Sequence, residues 1–370
     1  MPRAIRAAVS NGGGVAPIIE TLFLDDPAPD EVVIQIMAAG ICHTDLNAGQ
    51  WIKEPRVLGH EAAGIVVETG SAVTAFSKGD RVITTFGSCG SCPNCLNNRP
   101  AYCFDGVTLN FDGNRSSVQR STFTRSNGTE VRGAFFQQSS FATYALATER
   151  NIVRIPEGLD METAAPFGCS IQTGAGAVFN QLRAKKDQPL LVVGAGPVGL
   201  AAIMAARIIQ CSPIICVELN EARRELALSL GATHAIDGVD TDWVDQVQAI
   251  TRGGSTAALD TAGTQATFEG SIAALHSGGT LGLLTLPGDY DAPVQHPGGL
   301  DFLTKTIVGV VEGDSVPQTF LRLLISYHEA GDLPVEKLIQ TYPFEKVGEA
   351  CADVARGHAI KAVLTFEEEH

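Results

Sequence analysis

The chain has 370 residues, of which 45% are hydrophobic, so it is long enough for two hydrophobic cores and too apolar to be disordered. Its formal charge of −15 argues against nucleic acid or an anionic membrane as a partner, because both are bound through an excess of Lys and Arg. The start MPRAIRAAVS lacks the apolar core of a secretory signal, so we expect a reducing compartment, the cytoplasm.

The first part of the chain, residues 1 to about 155, consists of short β-like runs. The runs EVVIQIMAAG, AAGIVVETG and DRVITTF are separated by Gly, Pro and Asp turns, which predicts an irregular all-β unit. The polar stretch from Asn110 to Gly133 is rich in Ser, Thr, Arg and Asn. We expect it to form a long surface loop over a cleft.

Four cysteines in this part follow the spacing CxxCxxCx7C. Thiolates at this spacing wrap one tetrahedral Zn²⁺ ion, and a closed site of four sulfurs holds structure without doing chemistry. Two disulfides are the alternative, but a reducing compartment disfavours them. The sequence therefore predicts a structural zinc held by Cys89, Cys92, Cys95 and Cys103.

A second set of possible ligands is scattered along the chain. Cys42 lies in GICHTD, His60 and Glu61 lie in LGHEAAG, and Cys169 lies in PFGCSIQTG. Two thiolates and one imidazole would leave a zinc ion with the open position that catalysis needs. From the residues alone, small buried thiols and a hydrogen-bonded histidine are the more common interpretation.

The middle of the chain contains the run LLVVGAGPVGLAA, in which a β-branched stretch leads into a glycine pattern. Gly194 allows a sharp turn from strand to helix, Gly196 admits a pyrophosphate, and Gly199 allows close packing of the helix on the strand. The pattern predicts a dinucleotide-binding turn, although a glycine-rich turn that binds nothing is the alternative. A strand, turn and helix also explain the apolar stretch from Pro189 to Ile209 better than a membrane span does.

The run PIICVEL ends in Glu218, nineteen residues beyond Gly199. A carboxylate there accepts hydrogen bonds from both ribose hydroxyls of NAD and repels the 2′-phosphate of NADP. Arg223 and Arg224 lie nearby and partly offset this preference. We therefore expect NAD as the coenzyme.

The rest of the middle region alternates strands and helices, which predicts a doubly wound parallel sheet. Helix ends are predicted at Gly231, after NEARRELALSL, and at Gly278, after GSIAALHS. The predicted strands are Leu190 to Val193, Ile214 to Glu218, His234 to Ile236, Ala257 to Asp260 and Thr280 to Leu284.

In this order, GICHTDL, LGHEAAGIVVETG, the four-cysteine lobe, GAGPVGL and IKAVLTF resemble the zinc-dependent medium-chain alcohol dehydrogenases over nearly the whole chain. The segments TLNF, GAFFQQSSFATYALATERNIV and EGDSVPQTF are most similar to the aryl-alcohol dehydrogenases of that family. The resemblance implies an α/β architecture. A GroES-like β catalytic domain would comprise residues 1–170 and 312–370, with the zinc lobe near 87–104, and a Rossmann NAD-binding domain would comprise residues 171–311.

The resemblance also assigns roles to the scattered ligands. Cys42, His60 and Cys169 would bind a catalytic zinc, so that the chain holds two zinc ions, and Glu61 would be an occasional alternative ligand. Asp45 would accept from the imidazole of His60 and fix its orientation.

Other residues take roles in proton transfer and coenzyme binding through the same resemblance. Thr44 would accept the proton of the alcohol, and Thr173 would lie near the nicotinamide. His43 and Lys361 would contact the coenzyme pyrophosphate. Many relatives continue the proton relay with a histidine where this chain has Asn47, which cannot titrate near neutral pH, so we expect slower or more pH-dependent alcohol oxidation.

The implied reaction is hydride transfer between NAD and a primary aromatic or allylic alcohol, which becomes an aldehyde. Thr85, Trp51, Phe111 and Phe141 lie near family positions that line the substrate pocket, and core packing is the alternative for each aromatic residue. An NADPH-dependent aldehyde reductase of the cinnamyl type, or a non-catalytic member acting as a binding protein, are the other functions considered. The resemblance further implies a homodimer or homotetramer.

Overall fold

A computed structural model describes residues 3–116, 118, 121–285 and 303–367. The chain forms two compact units. The first comprises Met1–Ser170, Val316–Ser326 and Val335–His370, and the second comprises Ile171–Ser315 and Tyr327–Pro334. The domain boundaries expected from the sequence stay a prediction. In this division, residues 327–334 pack with the second unit.

The first unit is built mainly from two sheets, as the short β-like runs predict. Their orders are β4-β1-β2-β7-β8 and β10-β6-β5-β3-β18-β17, and β9 also pairs with β3. Numbered in chain order over the described residues, its strands are β1 Arg3–Ser10, β2 Ile18–Leu24, β3 Glu31–Gly40, β4 Arg56–Val57, β5 Glu61–Thr69, β6 Arg81–Thr84, β7 Phe123–Thr124, β8 Glu130–Val131, β9 Tyr144–Thr148, β10 Ile152–Arg154, β17 Ile339–Pro343 and β18 Lys361–Thr365.

One end of the second of these sheets gathers residues that are far apart in sequence. Gly40, at the end of β3, is paired with Glu61, at the start of β5, and with Val363 of β18. The antiparallel arrangement brings the chain that leaves β3 beside the chains that enter β5 and β18. Residues near 41, 60 and 361 therefore meet where these three neighbouring strands begin or end.

The polar segment 110–133 is not the surface loop that its composition predicts. Its strands β7 and β8 extend the five-stranded sheet, and Phe123 and Val131 are fully buried. The Arg115 side chain is 1% exposed and forms ion pairs with Glu31 and Asp25. Arg115 is satisfied inside the protein rather than by water, which composition alone could not reveal, whereas residues 126–130 are exposed. Residues 117, 119 and 120 of this segment lie outside the described residues.

The second unit contains a parallel sheet with the order β13-β12-β11-β14-β15-β16, which confirms the doubly wound sheet. A sixth strand, β16, was not predicted, because its short run TIVG is only partly buried. The strands are β11 Leu190–Val193, β12 Ile214–Glu218, β13 His234–Asp237, β14 Ser255–Asp260, β15 Leu275–Leu283 and β16 Thr306–Gly309.

None of the described helices is long and apolar enough to cross a membrane. Over the described residues the α-helices are α1 His43–Trp51, α2 Pro93–Leu96, α3 Gly106–Phe111, α4 Met161–Ala164, α5 Ser170–Gly176, α6 Pro197–Ile209, α7 Glu221–Leu230, α8 Trp243–Thr251, α9 Gln265–Ala273, α10 Pro317–Glu329 and α11 Val347–Ala355.

The two predicted helix ends have different outcomes. Helix α7 stops at Gly231, whose φ of 129° favours glycine, as predicted. The prediction that a helix runs to Gly278 is wrong, because α9 ends at Ala273 and strand β15 begins at Leu275. Pairing with β14 buries Leu275 and Leu281, and this tertiary burial overrides the local helical preference.

Candidate functional site

The four cysteines of the lobe at residues 89–103 come together as their spacing predicts. The sulfurs of Cys89, Cys92, Cys95 and Cys103 lie within 4.8 Å of one another, and all four are free thiols. Cys89 Sγ is 3.9 Å from Cys95 Sγ. Four sulfurs placed tetrahedrally at about 2.3 Å from a zinc ion would be about 3.8 Å apart. The donor set and its spacing therefore fit zinc.

Backbone N–H groups surround these sulfurs. Cys89 N donates to Cys103 Sγ at 3.2 Å, Cys92 N donates to Cys89 Sγ at 3.3 Å, and Phe104 N donates to Cys92 Sγ at 3.5 Å. Hydrogen bonds from the backbone of Phe104 and Cys95 lower the pKa of Cys92 to about 6, whereas burial raises the pKa of Cys103 to about 12. A bound divalent cation would deprotonate the remaining thiols.

The scattered ligands form a second group. Possible ligand atoms of Cys42, His60, Glu61 and Cys169 lie within 4.8 Å of one another. Cys42 precedes α1, His60 and Glu61 lead into β5, and Cys169 precedes α5. His60 and Glu61 are fully buried, and Cys169 is 8% exposed. Sheet pairing brings Glu61 beside the end of β3, next to Cys42, and Gly168, which precedes Cys169, accepts a hydrogen bond from Thr85. Sequence spacing does not bring these residues together.

Asp45 orients the imidazole of His60. Its Oδ1 atom accepts from His60 Nδ1 at 2.9 Å and from Gly59 N at 3.0 Å, and its Oδ2 atom accepts from Cys42 N at 3.0 Å. With the Nδ1 proton directed at Asp45, the lone pair of Nε2 faces the cysteines. Nε2 is buried and has no hydrogen-bond partner among the described residues. An orphaned buried nitrogen beside two thiols is what a metal ligand requires.

The charges in this group are strongly perturbed. The hydrogen bond to Cys169 and the neighbouring His60 hold the pKa of Cys42 well below its usual range, despite burial. Burial lowers the pKa of His60, but Asp45 and Cys42 outweigh it and hold that pKa well above its usual range. Without a metal, the group thus favours a Cys42 thiolate beside a protonated His60 imidazole. A divalent cation at Nε2 would replace the proton on that nitrogen and supply the positive charge instead.

Lys361 pairs with Glu61, and its expected role at the coenzyme pyrophosphate stays a prediction. Lys361 is 1% exposed, and its Nζ donates to both Glu61 oxygens, at 3.0 and 2.8 Å, and to Ile41 O at 3.2 Å. These bonds use all three N–H donors of the ammonium group. Gly40 makes room for the pair, since a Cβ there would lie 2.5 Å from Glu61 Oε2. Burial raises the pKa of Glu61, and Lys361 opposes that rise.

Helix α1 carries the residues with expected proton-transfer roles. Thr44 is half-buried, and its Oγ1 lies 3.7 Å from Cys42 Sγ. His43 and Asn47 are exposed on the same helix. Thr173, in the second unit, is 7% exposed, and its Oγ1 has no hydrogen-bond partner among the described residues. Within the first unit, Thr44 adjoins Cys42, and the buried Ser170 donates from its Oγ to Glu61 Oε2 at 3.4 Å, so two hydroxyls adjoin the possible metal ligands.

Two adjacent phenylalanines that the sequence interpretation missed contact His60. The ring of Phe136 stacks on the imidazole with centroids 4.4 Å apart and an interplanar angle of 25°. Phe135 contacts the same imidazole edge-on at 5.6 Å, and Phe111 contacts both phenylalanines at 5.8 and 5.3 Å. The only sequence feature that marks these residues is the pair FF in GAFFQQSSF, and no periodicity distinguishes this pair from core aromatic residues.

The turn that presents Phe136 has an uncommon backbone. Its non-glycine residues with positive φ are Ala134, Phe136, Gln137 and Ser139, with values from 50° to 60°. Such clusters persist only where surrounding contacts impose them. Gln138 supplies one such contact, because its Nε2 donates to His60 O at 2.9 Å and to Thr85 O at 3.0 Å. The turn therefore contacts His60 in two ways: Gln138 bonds to its backbone carbonyl, and Phe136 stacks on its imidazole.

The four residues expected to line a substrate pocket lie in different environments. Thr85 is fully buried, and its Oγ1 donates to Gly168 O at 2.8 Å. Phe141 is 2% exposed and belongs to the hydrophobic core. Trp51 is 51% exposed, and its ring lies 6.4 Å from the partly buried Phe111. Only Phe111 of these four adjoins the rings that contact His60.

In the second unit, the glycine turn connects β11 to α6. Gly194 has a φ of 95°, and a Cβ on Gly199 would lie 1.9 Å from Gly194 O, so both positions require glycine. Glu218 ends the neighbouring strand β12, and its Oε2 accepts from Ala195 N at 2.6 Å. The turn, the helix start and the carboxylate are therefore together, as the sequence interpretation expects.

Arg224 pairs with Asp237 and with two backbone carbonyls. Its NH2 group lies 3.0 Å from Asp237 Oδ2, and its NH1 group donates to the carbonyls of Glu218 and Leu219 at 2.8 Å each. Asp237 neutralises this guanidinium locally. The hydrogen bonds and the ion pair described for Arg224 therefore do not involve the Glu218 carboxylate.

Comparison with known proteins agrees with both halves of the chain. The family model for the alcohol dehydrogenase GroES-like domain matches residues 28–157, and the model for zinc-binding dehydrogenases matches residues 197–326. The chain is 41% identical to the geraniol dehydrogenase of Castellaniella defragrans over 366 residues, which cover 98% of this chain and 97% of that protein. The chain belongs to the zinc-dependent medium-chain alcohol dehydrogenase family. This confirms the resemblance found in the sequence, and the chain is an enzyme of alcohol oxidoreduction.

Solved structures of alcohol dehydrogenases superpose over the full chain. An alcohol dehydrogenase zinc-binding domain protein from Burkholderia ambifaria has a TM-score of 0.95 at 40% identity, covering 100% of both chains. The benzyl alcohol dehydrogenase of Acinetobacter calcoaceticus has a TM-score of 0.91 at 36% identity, covering 99% of this chain and 100% of that one.

Proposed function

We propose that this alcohol dehydrogenase interconverts a primary aromatic or allylic alcohol and its aldehyde, with NAD as the coenzyme and two zinc ions per chain. One observation carries the proposal. Cys42, His60 and Cys169 converge in a buried group around an imidazole nitrogen that has no hydrogen-bond partner among the described residues. Isolated buried thiols with no metal to bind would not need to converge on one imidazole.

Within this proposal, Cys42, His60 and Cys169 hold the catalytic zinc. Bound zinc lowers the pKa of an alcohol and polarises an aldehyde carbonyl, and NAD accepts or returns the hydride. Asp45 keeps the His60 lone pair turned toward the two sulfurs. Lys361 neutralises Glu61, so this carboxylate stays a reserve ligand and the three-residue set keeps a position for substrate.

Thr44 is the proton acceptor in this scheme. Its hydroxyl adjoins Cys42 Sγ and lies on a helix whose neighbouring residues His43 and Asn47 are exposed, so a proton accepted at Oγ1 has a short route to water. Asn47 cannot carry that proton itself. Replacing Asn47 with His should widen the pH range of alcohol oxidation, and an unchanged pH profile would remove Asn47 from the account.

The environment of Glu218 supports NAD over NADP. The carboxylate sits beside the glycine turn, where it can accept from ribose hydroxyls, and Asp237 engages Arg224. The 2′-phosphate of NADP would be repelled by the Glu218 carboxylate, and Arg224 is already paired with Asp237 and so offsets this repulsion less. Gly194, Gly196 and Gly199 bind the pyrophosphate in this proposal, and His43 and Thr173 stay proposed coenzyme contacts.

Aromatic rings beside the proposed zinc support the substrate class. Phe136, Phe135 and Phe111 form a continuous aromatic group that reaches the imidazole of His60. Phe135 and Phe136 belong to the hydrophobic core, so the partly buried Phe111 is the member of this group that offers a face to a flat ring or a double bond. Benzyl alcohol and geraniol, named in two of the relatives, are primary aromatic and primary allylic alcohols respectively.

A matched coenzyme and substrate screen tests the proposal. Benzyl alcohol, geraniol and 1-hexanol would each be supplied with NAD and with NADP, and reduced coenzyme followed by absorbance. We expect kcat/KM to rank the first two above 1-hexanol, with NAD preferred. A strong preference for NADP would favour the aldehyde reductase of the cinnamyl type and overturn the role given to Glu218. No turnover with any alcohol, together with one zinc per chain, would favour a non-catalytic binding protein.

We also propose a homodimer or homotetramer in the cytoplasm. Strand β16 lies at an edge of the parallel sheet, and Ile307 on it is 37% exposed, so a second copy could pair there. All nine cysteines are free, which agrees with a reducing compartment. Light scattering that gave the mass of one chain at all concentrations would contradict the oligomer.

A further inference from the structure

A small cavity lies beside helix α1 in the first unit. It has a volume of about 70 Å³, opens to solvent beside the exposed residues Gly14, Val15 and Ala16, and is lined mainly by apolar groups from β1, the loop that follows it, α1 and α11. Leu58, Phe141 and Cys351 contribute apolar wall, and Ser10 and Asp45 contribute polar groups. The proposed metal ligands Cys42, His60 and Cys169 do not line it. The cavity is therefore separate from the site of chemistry, although Asp45 borders both.

Gly49 keeps this cavity open. It lies inside α1, where glycine costs about 1 kcal/mol relative to alanine. A Cβ at this position would meet Ser10 Oγ at 3.7 Å and Leu58 Cδ1 at 4.0 Å, which are ordinary contacts with two residues of the cavity wall. A methyl group would thus fit and would point into the cavity. Close packing does not explain the glycine.

Ser10 places a polar group in the same space. It is 3% exposed and lines the cavity. A hydroxyl at the wall exchanges a hydrogen bond with water for one with an occupant, and such an exchange makes a modest net contribution to binding. The cavity therefore offers one hydrogen-bonding group within apolar walls.

The remaining groups limit the charge of an occupant. None of the residues that line the cavity is Lys, Arg or His, so nothing there compensates an anion. Asp45 already accepts hydrogen bonds from Cys42 N, Gly59 N and His60, and burial raises the pKa of the Cys351 thiol to about 12, so that it is neutral. A neutral molecule fits this wall best.

We infer that this cavity is a second binding site, for a small neutral alcohol whose hydroxyl bonds to Ser10 and whose apolar body fills the space beside Gly49. An apolar cavity of about 150 Å³ holds benzene, with six heavy atoms, so about 70 Å³ suits a body of about three. The occupant is not turned over here, because the proposed metal ligands lie outside the cavity wall. It contacts Asp45, the residue that orients His60.

The test uses zinc-loaded, coenzyme-free protein and 1-propanol, since no oxidation occurs without coenzyme. Crystals soaked in 1-propanol should show its density between Ser10 and Gly49, and a ligand-detected NMR titration should give its affinity. Ser10→Ala removes one hydrogen bond of about 0.5 to 1.5 kcal/mol and should weaken binding about 2- to 12-fold. Gly49→Leu should abolish the density.

Two further variants keep the test decisive. Gly49→Ala fills part of the cavity and strengthens the helix, so it folds and should weaken 1-propanol binding. Gly158→Ala adds a methyl group with no atom within 4 Å and should leave binding unchanged. Density for water alone in the cavity, or equal affinity in wild type and the Gly49 variants, would overturn the inference. Neither result depends on turnover, so neither affects the proposed dehydrogenase.

Discussion

The two cysteine groups of the first unit are built in opposite ways. The lobe takes its four sulfurs from residues 89–103, leaves most of them partly exposed, and surrounds them with backbone N–H groups. The second group takes ligands from residues 42, 60, 61 and 169, buries most of them, and supports them with the side chains of Asp45 and Lys361. Sequence spacing alone predicts the group proposed as structural, whereas the group proposed as reactive forms only when the chain folds.

The difference extends to charge. In the lobe, backbone N–H groups favour the thiolate of Cys92 without any charged side chain among the hydrogen bonds described for it. In the second group, a carboxylate, an ammonium group and an imidazole are arranged around two thiols in a buried space. Buried charges are stable only when each is paired. We therefore expect the second group to be the more sensitive to single substitutions.

The largest expected effect comes from removing one sulfur from each group. Cys169→Ser should lower turnover by about 10³-fold or more, because the lowered pKa that zinc gives to an alcohol is lost. Cys103→Ser should leave turnover at 25 °C within about twofold, since a structural site does no chemistry, and should lower the thermal midpoint. Steady-state assays and thermal melts of both variants check this. Equal turnover in the two variants would break the comparison.

Removing the buried ammonium group should cost stability. Lys361→Met leaves Glu61 buried without its partner, and breaking such a pair costs about 3–5 kcal/mol in the free energy of unfolding. Denaturant unfolding measures this loss. The double variant Lys361→Met with Glu61→Gln should regain part of it, because the uncompensated charge is gone. A single variant as stable as the wild type would show that the pair is dispensable.

A smaller effect is expected from the carboxylate behind His60. Asp45→Asn keeps the size of the side chain and weakens the hydrogen bond that fixes the imidazole, so zinc affinity at the second group should fall about 10- to 100-fold. Competition with a chelator measures this, and the lobe should retain its metal. Glu68→Gln, on the exposed end of β5, is the matched control and should change nothing. An unchanged affinity in Asp45→Asn would remove Asp45 from the site.

The smallest effect concerns reactivity in the metal-free lobe. The pKa of Cys92 is lowered to about 6, so its thiolate predominates above that pH and is lost as the pH falls through it. Alkylation of Cys92 by iodoacetamide should have a midpoint near pH 6. Burial raises the pKa of Cys211 to about 11, so this thiol should stay unlabelled at neutral pH. A Cys92 midpoint above pH 8 would show that the backbone donors are not in place.

The sequence predicted those features that depend on local patterns. The four-cysteine spacing, the glycine turn and the β-branched runs of the parallel sheet each lie within a short window, where spacing and propensity decide the structure. The joining of Cys42, His60 and Cys169 was expected only through family resemblance. Nothing in their spacing shows that they meet. Pairing of β3 with β5 and β18 brings the ends of these strands together, and this pairing is not visible in the sequence.

The remaining features depend on tertiary contacts that no pattern signals. The pairing of Lys361 with Glu61 is not signalled by the sequence, and the expected contact of Lys361 with a pyrophosphate stays a prediction. The segment around Arg115 was expected in water and instead pairs with buried Glu31. Phe136 was overlooked, because only its stacking on His60 distinguishes it from other core aromatics. In each case the partner decides the role, and the partner is distant in sequence.

Zinc content per chain tests the central claim most directly. The wild type should contain two zinc ions per chain, and Cys103→Ser and Cys169→Ser should each contain one, with alcohol oxidation retained only in Cys103→Ser. Elemental analysis of the purified proteins, alongside the oxidation assay, measures both quantities. One zinc ion in the wild type, or a zinc ion lost from Cys169→Ser without loss of oxidation, would contradict the division between a structural and a reactive site.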